Sequence, residues 1–166
     1  MAAGLVAVGY AVAAMIPGTH RFFRDTRYRL GLGPAVYTAF VAVPLGTVVF
    51  EEVAFRGVLW GLVEDAYDAA AATVVTSILF GLWHVLPALA AARTNAALGP
   101  SGPGSGPGRT VLATVAFTTV AGVVFAELRR RTGSLLAPVL LHWAANGIGV
   151  LVSARLWATG SRESGG

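Results

Sequence analysis

This sequence predicts an all-α, multi-pass transmembrane helix bundle, and three observations carry that prediction. Charge is scarce: of 166 residues 12% are charged and 55% are hydrophobic, with a mean hydropathy of +0.69. A soluble domain carries about 25% charged residues, and half of that leaves too little polar surface to cover a globule of this size. The apolar residues come in long, nearly unbroken runs, as bilayer-crossing helices require. The twelve basic residues, all arginine, sit mostly between those runs, as in loops at a membrane surface. The pI near 10.3 therefore does not indicate a nucleic-acid face, because the net charge is only +4 and is spread over the connecting loops. With no cysteine, the chain has no disulfide, no thiolate nucleophile, no Cys-ligated metal and no site for its own prenylation or palmitoylation.

Taken in order, residues Ala2 to Ile16 are apolar up to Pro17. As a helix they span roughly 22 Å, short of the roughly 30 Å hydrocarbon core. No basic stretch precedes them, so a short span fits better than a signal peptide. The loop His20 to Arg29 holds four arginines and one acid and completes an N-terminal segment over residues 1–33. A second run goes from Pro34 to Phe50, with Pro44 as an expected kink. It meets Glu51 and Glu52, then resumes as Val-Ala-Phe-Arg-Gly-Val-Leu-Trp-Gly-Leu-Val before the polar break Glu64, Asp65, Asp68. A third run extends from about Ala69 to Ala92. The stretch 98–108 is a Gly/Pro/Ser repeat expected to form a flexible linker. The fourth run, Val111 to Leu128, ends in Arg129-Arg130-Arg131, cations that suit a helix C-terminus, with Thr132-Gly133 as the stop. The fifth is Leu135 to Ala154. Residues 34–156 thus form the expected functional core, and 157–166 a polar tail. If the Arg-rich N-terminal loop is cytoplasmic and the spans alternate, eight loop arginines lie on that side against Arg129 to Arg131 on the other. A re-entrant turn near residues 51–63 would change that count.

A charge inside hydrocarbon costs at least about 2.5–3.5 kcal/mol, so intramembrane ionisable groups are functional candidates. They are few here: Glu51, Glu52 and Arg56, then His84, then His142 with Asn146. Glu52 and Arg56 stand four apart in the favourable order for an ion pair. Glu51 points about 100° away and has Phe55 at its own i+4 position. A carboxylate beside a second one, near water, is suited to general-base work. His84 lies one turn after Phe80, while His142 and Asn146 share one face with the small Ala144 and Ala145 nearby. Each feature alone also fits ordinary packing. Together, three apolar runs converge on a carboxylate, two imidazoles and an amide, a set suited to attack of water on an amide carbonyl. Other peptidase patterns are absent: no His-Glu-x-x-His pair and no intramembrane Asp pair occur. Ser77 lacks the glycine-flanked turn of a nucleophile elbow and reads as a helix-packing hydroxyl.

Glu51-Glu52-Val53-Ala54-Phe55-Arg56 resembles the Glu-Glu-x-x-x-Arg motif of the CPBP family, the CAAX-processing and bacteriocin-processing intramembrane proteases. Phe80 to His84 resembles its Phe-x-x-x-His motif, and Gly133 to Pro138 leading into His142-x-x-x-Asn146 resembles its third. The motifs occur in order over residues 40 to 155. The resemblance implies that Glu51 and His84 activate the attacking water, that His142 and Asn146 stabilise the oxyanion, and that Glu52 and Arg56 support them. It implies a peptide or protein substrate in the bilayer of a bacterial plasma membrane, with CAAX-type or peptide-maturation processing as the activity. Two His and a Glu would also suit zinc with an open coordination position, and the family is often labelled metalloprotease. A metal-free, glutamate-activated water fits the same residues, and Asn146 suits an oxyanion donor better than a zinc ligand. No other cofactor and no nucleic-acid partner is expected. The rival classes are a non-catalytic membrane immunity or partner-binding protein on the same scaffold and a proton-coupled transporter using Glu and His as a relay. Oligomeric state is not legible.

Overall fold

A computed structural model describes residues 2–100 and 106–163. Every regular element among them is helical. The helices are α1 (Ala2–Met15), α2 (Leu32–Ala66), α3 (Ala69–Trp83), α4 (Val85–Thr94), α5 (Pro107–Thr132) and α6 (Leu136–Glu163). Four helical segments are long and apolar enough to cross a membrane: Leu32–Ala66, Ala69–Thr94, Pro107–Thr132 and Leu136–Gly160. The N-terminal apolar helix is too short to be one of them. The expected fold class, four spans and a short N-terminal segment, is therefore the one observed.

No re-entrant turn interrupts α2. It runs for 35 residues, about 52 Å at 1.5 Å per residue, so it must tilt or project beyond a hydrocarbon core of about 30 Å. Its irregularity is of another kind. The stretches Thr38–Ala42, Pro44–Val48 and Val53–Leu59 are π-helical. Pro44 lacks the N–H that would bond one turn back, and the backbone absorbs the loss by widening around it. Asp68 then caps α3, its carboxylate accepting from Ala71 N at 2.7 Å.

The α3–α4 span is broken at His84, whose backbone (φ −83°, ψ 3°) leaves the helix. Pro87 explains the break: it has no N–H for the Trp83 carbonyl, and its ring would strike that carbonyl in a regular helix. Gly133 ends α5 in the left-handed conformation (φ 64°), its N–H bonding Arg129 O at 2.9 Å. The expected stop at Thr132-Gly133 is thus real. Two boundaries differ from expectation. Helix α6 continues through the supposed polar tail to Glu163. Helix α5 starts at Pro107, inside the expected linker 98–108, of which 101–105 lie outside the described residues.

Packing is densest between α3 and α5, where small residues allow the backbones to approach. A Cβ added at Gly122 would sit 2.9 Å from Ser77 Cα, and one at Gly81 would sit 2.9 Å from Val115 O. Ser77 is buried against this seam, as a packing residue would be, and its hydroxyl has no hydrogen-bond partner among the described residues. Large apolar side chains such as Leu45, Phe50, Leu62, Leu86 and Phe117 face outward, the surface that lipid would cover. At one end of the bundle the loops are tied together. Asn95 Nδ2 donates to Phe22 O at 2.8 Å, and Trp157 Nε1 donates to Asp25 O at 3.0 Å. The Arg-rich N-terminal loop, the end of α4 and the end of α6 therefore share that end, and Arg129 to Arg131 lie with the α5–α6 turn at the other.

Candidate active site

Glu51 and Glu52 lie on the single α-helical turn Val49–Glu52, held between two π-helical stretches of α2. Such widened turns re-aim neighbouring side chains and recur at functional sites. Both carboxylates are buried, but they meet different partners. Glu52 Oε1 accepts from Arg56 Nη1 at 3.2 Å, the ion pair that the i, i+4 spacing predicts. The same oxygen lies 2.8 Å from His142 Nδ1. A carboxylate only accepts, so Nδ1 carries the hydrogen.

Glu51 Oε1 accepts from Trp83 Nε1 at 2.9 Å. Its Oε2 lies 3.8 Å from His142 Nε2 and has no hydrogen-bond partner among the described residues. Glu52 Oε2 is likewise buried without a partner among the described residues, but Glu52 already holds Arg56 and His142 through its other oxygen, and of the two carboxylates only Glu51 lines a cavity.

Arg56 is enclosed by aromatic faces. Its guanidinium carbon stands 3.9 Å from the Phe80 ring centroid and 5.0 Å from that of Phe125. Desolvated cation–π contacts of this kind offset part of the cost of burying the charge. His142 stacks on Phe125, with centroids 5.0 Å apart and planes 22° apart. Phe125 thus steadies both the cation and the imidazole.

His84 occupies the break between α3 and α4. Its Nδ1 lies 2.7 Å from Phe80 O. A carbonyl accepts, so Nδ1–H donates and the neutral ring keeps its lone pair on Nε2. The Phe80 ring meets the imidazole edge-on at 4.6 Å. The Phe80–His84 spacing thus fixes the tautomer as well as the packing. Asn146 lies one helical turn beyond His142 on α6.

Two cavities meet here. One, of about 420 Å³, is lined by Glu51, His84 and Asn146 together with Asp25, Arg27 and Asn95. The other, of about 480 Å³, is lined by His84, His142 and Asn146 together with Phe117, Val124 and Leu141. His84, Ala145 and Asn146 border both. All six residues singled out from the sequence therefore lie in one cluster. His20 does not: its Nε2 lies 2.8 Å from Ala14 O, closing the turn after α1.

Sequence reasoning did not identify Trp83, Phe125 or Tyr10 as part of this cluster. Two carried a legible signal, because an indole N–H or phenol O–H inside an apolar run needs a partner. Tyr10 lines the first cavity, and its hydroxyl donates to Ala145 O at 2.6 Å. Phe125 carried none, since its role follows from where α5 packs. The zinc alternative would draw on the same residues. Both histidine Nδ1 atoms are hydrogen-bonded, to Phe80 O and Glu52, which leaves the Nε2 atoms as the ones a zinc ion would call on, although no group of three His, Cys, Asp or Glu side chains among the described residues is gathered around one point.

A family model described as type II CAAX prenyl endopeptidase Rce1-like matches residues 33–148, which contain all six site residues. No curated protein and no solved structure matches the chain.

Proposed function

The chain belongs to the type II CAAX prenyl endopeptidase Rce1-like family of CPBP intramembrane proteases, and from that premise we propose a metal-free mechanism for its peptide-bond hydrolysis. The protein is an integral, multi-pass membrane hydrolase of CAAX type. In the proposed reaction a water sits between Glu51 Oε2 and His84 Nε2, at the border of the two cavities. Glu51 takes one proton as the water oxygen bonds to the scissile carbonyl carbon, while His84 Nε2 accepts the other hydrogen as a hydrogen bond and orients the attack. The carbonyl oxygen becomes an oxyanion and receives hydrogen bonds from the Asn146 amide and His142. With Nδ1–H given to Glu52, the Nε2 edge of His142 is the one turned toward the oxyanion. When the C–N bond breaks, the proton held by Glu51 passes to the leaving amine. Glu52 and Arg56 hold His142 in place and touch no reacting atom.

One observation carries this reading: the water-activating pair borders the polar cavity, and the oxyanion donors border the apolar one. A prenylated peptide fits both, with its backbone in the first and its prenyl chain in the second. The Arg-rich end, where the polar cavity lies, is assigned to the cytoplasm by the arginine bias.

The test is cleavage of a prenylated CAAX peptide by purified protein in detergent. Glu51→Gln is expected to abolish cleavage while leaving the folded yield intact; wild-type rates from that variant would overturn the mechanism. Chelator titration separates the two chemistries, since activity lost to chelator and restored by zinc would favour the metal. Comparative membrane proteomics of cells carrying wild-type or Glu51→Ala protein then identifies the natural substrate.

A further inference from the structure

Helix α1 lies outside the family-matched residues, and nothing in the three motifs assigns it a role. It nevertheless borders the site. One face of α1 is partly covered, at Val6, Tyr10, Ala13 and Ala14, while most of its remaining described positions are exposed. These positions follow the i, i+4, i+7, i+8 spacing of a single helix face. That face packs on α6.

The attachment is specific. The Tyr10 hydroxyl donates to Ala145 O at 2.6 Å, immediately before Asn146. A glycine on α6 eases the approach: a Cβ at Gly149 would stand 3.0 Å from Tyr10 Oη and 3.4 Å from its ring carbon Cζ, tight enough that the phenol would have to give way by a few tenths of an ångström. Tyr10 and Gly149 lie outside the matched residues, while Ala145, the acceptor, lies inside them. The clasp fixes what each end of the helix face does. Tyr10 lines the polar cavity and Val6 lines the apolar one, so α1 runs along the border between them.

We infer that α1 is a specificity wall of the active site: Tyr10 clasps it to α6 beside Asn146, and Val6 limits the length of the apolar chain that the second cavity admits. This rests on the reading that the substrate carries a prenyl group in the apolar cavity. A larger side chain at position 6 shortens the cavity and selects against the longer isoprenoid; a smaller one does the reverse. Hydrophobic pockets discriminate by about 10–200-fold for a single misfitting methylene-sized group. Changes at Val6 are therefore expected to be large.

The test uses one CAAX peptide carrying either a farnesyl or a geranylgeranyl group, with kcat/KM measured for each on the full chain. Val6→Phe is expected to raise the farnesyl-to-geranylgeranyl ratio about tenfold or more, and Val6→Ala to lower it. Adding Tyr10→Phe, which removes only the hydroxyl, is expected to cut the Val6→Phe shift back, because an unclasped helix gives way. A ratio unchanged by Val6→Phe while both peptides are cleaved overturns the wall. A second readout does not depend on proteolysis. The chain has no cysteine, so Val6→Cys provides a single thiol for maleimide labelling. Labelling slowed by the prenylated peptide, and not by the same peptide without its prenyl group, is the expected result. If neither peptide is cleaved by the wild type, labelling decides alone. Protection would keep the wall and overturn the protease reading of the site, and no protection would overturn the wall.

Discussion

The two cavities share His84, Ala145 and Asn146 as a common border, yet they differ in what else lines them. The first is bounded by Glu51, Asp25, Arg27 and Asn95, at the end where the loops are tied together. The second is bounded by Phe80, Phe125 and Leu141 together with the outward-facing Phe117 and Val124. Glu51 belongs to the first alone and His142 to the second alone. Hydrolysis needs both conditions within a few ångströms. A general base has to reach water, whereas hydrogen bonds to a developing oxyanion gain strength where water is excluded. In the proposed reaction the bundle meets both by setting Glu51 on the polar cavity, His142 on the apolar one, and His84 and Asn146 on their border.

The strongest way to break this comparison is to disable the wet side. Glu51→Gln is expected to lower kcat about 10²–10⁴-fold, the usual worth of a positioned general base, in a single-turnover peptide assay. On the dry side, Asn146→Ala is expected to cost about 10²–10³-fold in kcat with KM nearly unchanged. Were KM to rise instead with kcat preserved, Asn146 would be a substrate-binding group and the division of labour would fail.

The floor of the dry side is tested through stability. Arg56→Leu leaves the buried Glu52 carboxylate with His142 as its remaining partner and is expected to destabilise the protein by about 3 kcal/mol, read from unfolding in detergent. A variant as stable as the wild type would mean that the carboxylate does not depend on the cation. Smaller still, Gly122→Ala forces the α3–α5 seam apart against Ser77 and should cost about 1–3 kcal/mol, with Phe125 and hence His142 carried along.

The smallest effect concerns the wet cavity's rim. Burial by itself would raise the Asp25 carboxyl, but hydrogen bonds from the Arg27 side chain and backbone N–H hold it below the usual aspartate value. Arg27 Nη2 stands 2.6 Å from Asp25 Oδ2. A depressed carboxyl stabilises the fold above its unfolded value and loses that contribution as pH falls through the folded one. Melting curves of the wild type should therefore weaken on acidification below the ordinary aspartate range, and Asp25→Asn should flatten that slope. An identical slope in both would remove Asp25 from the account.

Much of this was legible in the residues themselves. Scarce charge and long apolar runs required helices, because in hydrocarbon every backbone polar group must be satisfied within its own segment or a closed barrel. The same scarcity made Glu51, Glu52, Arg56, His84, His142 and Asn146 stand out, since each is costly where it lies. The Glu52–Arg56 pair followed from local spacing, as did the end of α5 at Gly133. What spacing along the chain left undetermined was which groups meet across helices. His142 bonds Glu52 across 90 positions, and Trp83 reaches Glu51 across 32. Those pairings depend on how the π-helical turns of α2 rotate one face against another and on where Pro87 breaks the third span. Phe125 became the support of His142, and Tyr10 the clasp of α1, only through packing. A hydrophobic run states that a segment is buried in lipid or protein, while its neighbours are chosen by the shape of the assembled bundle.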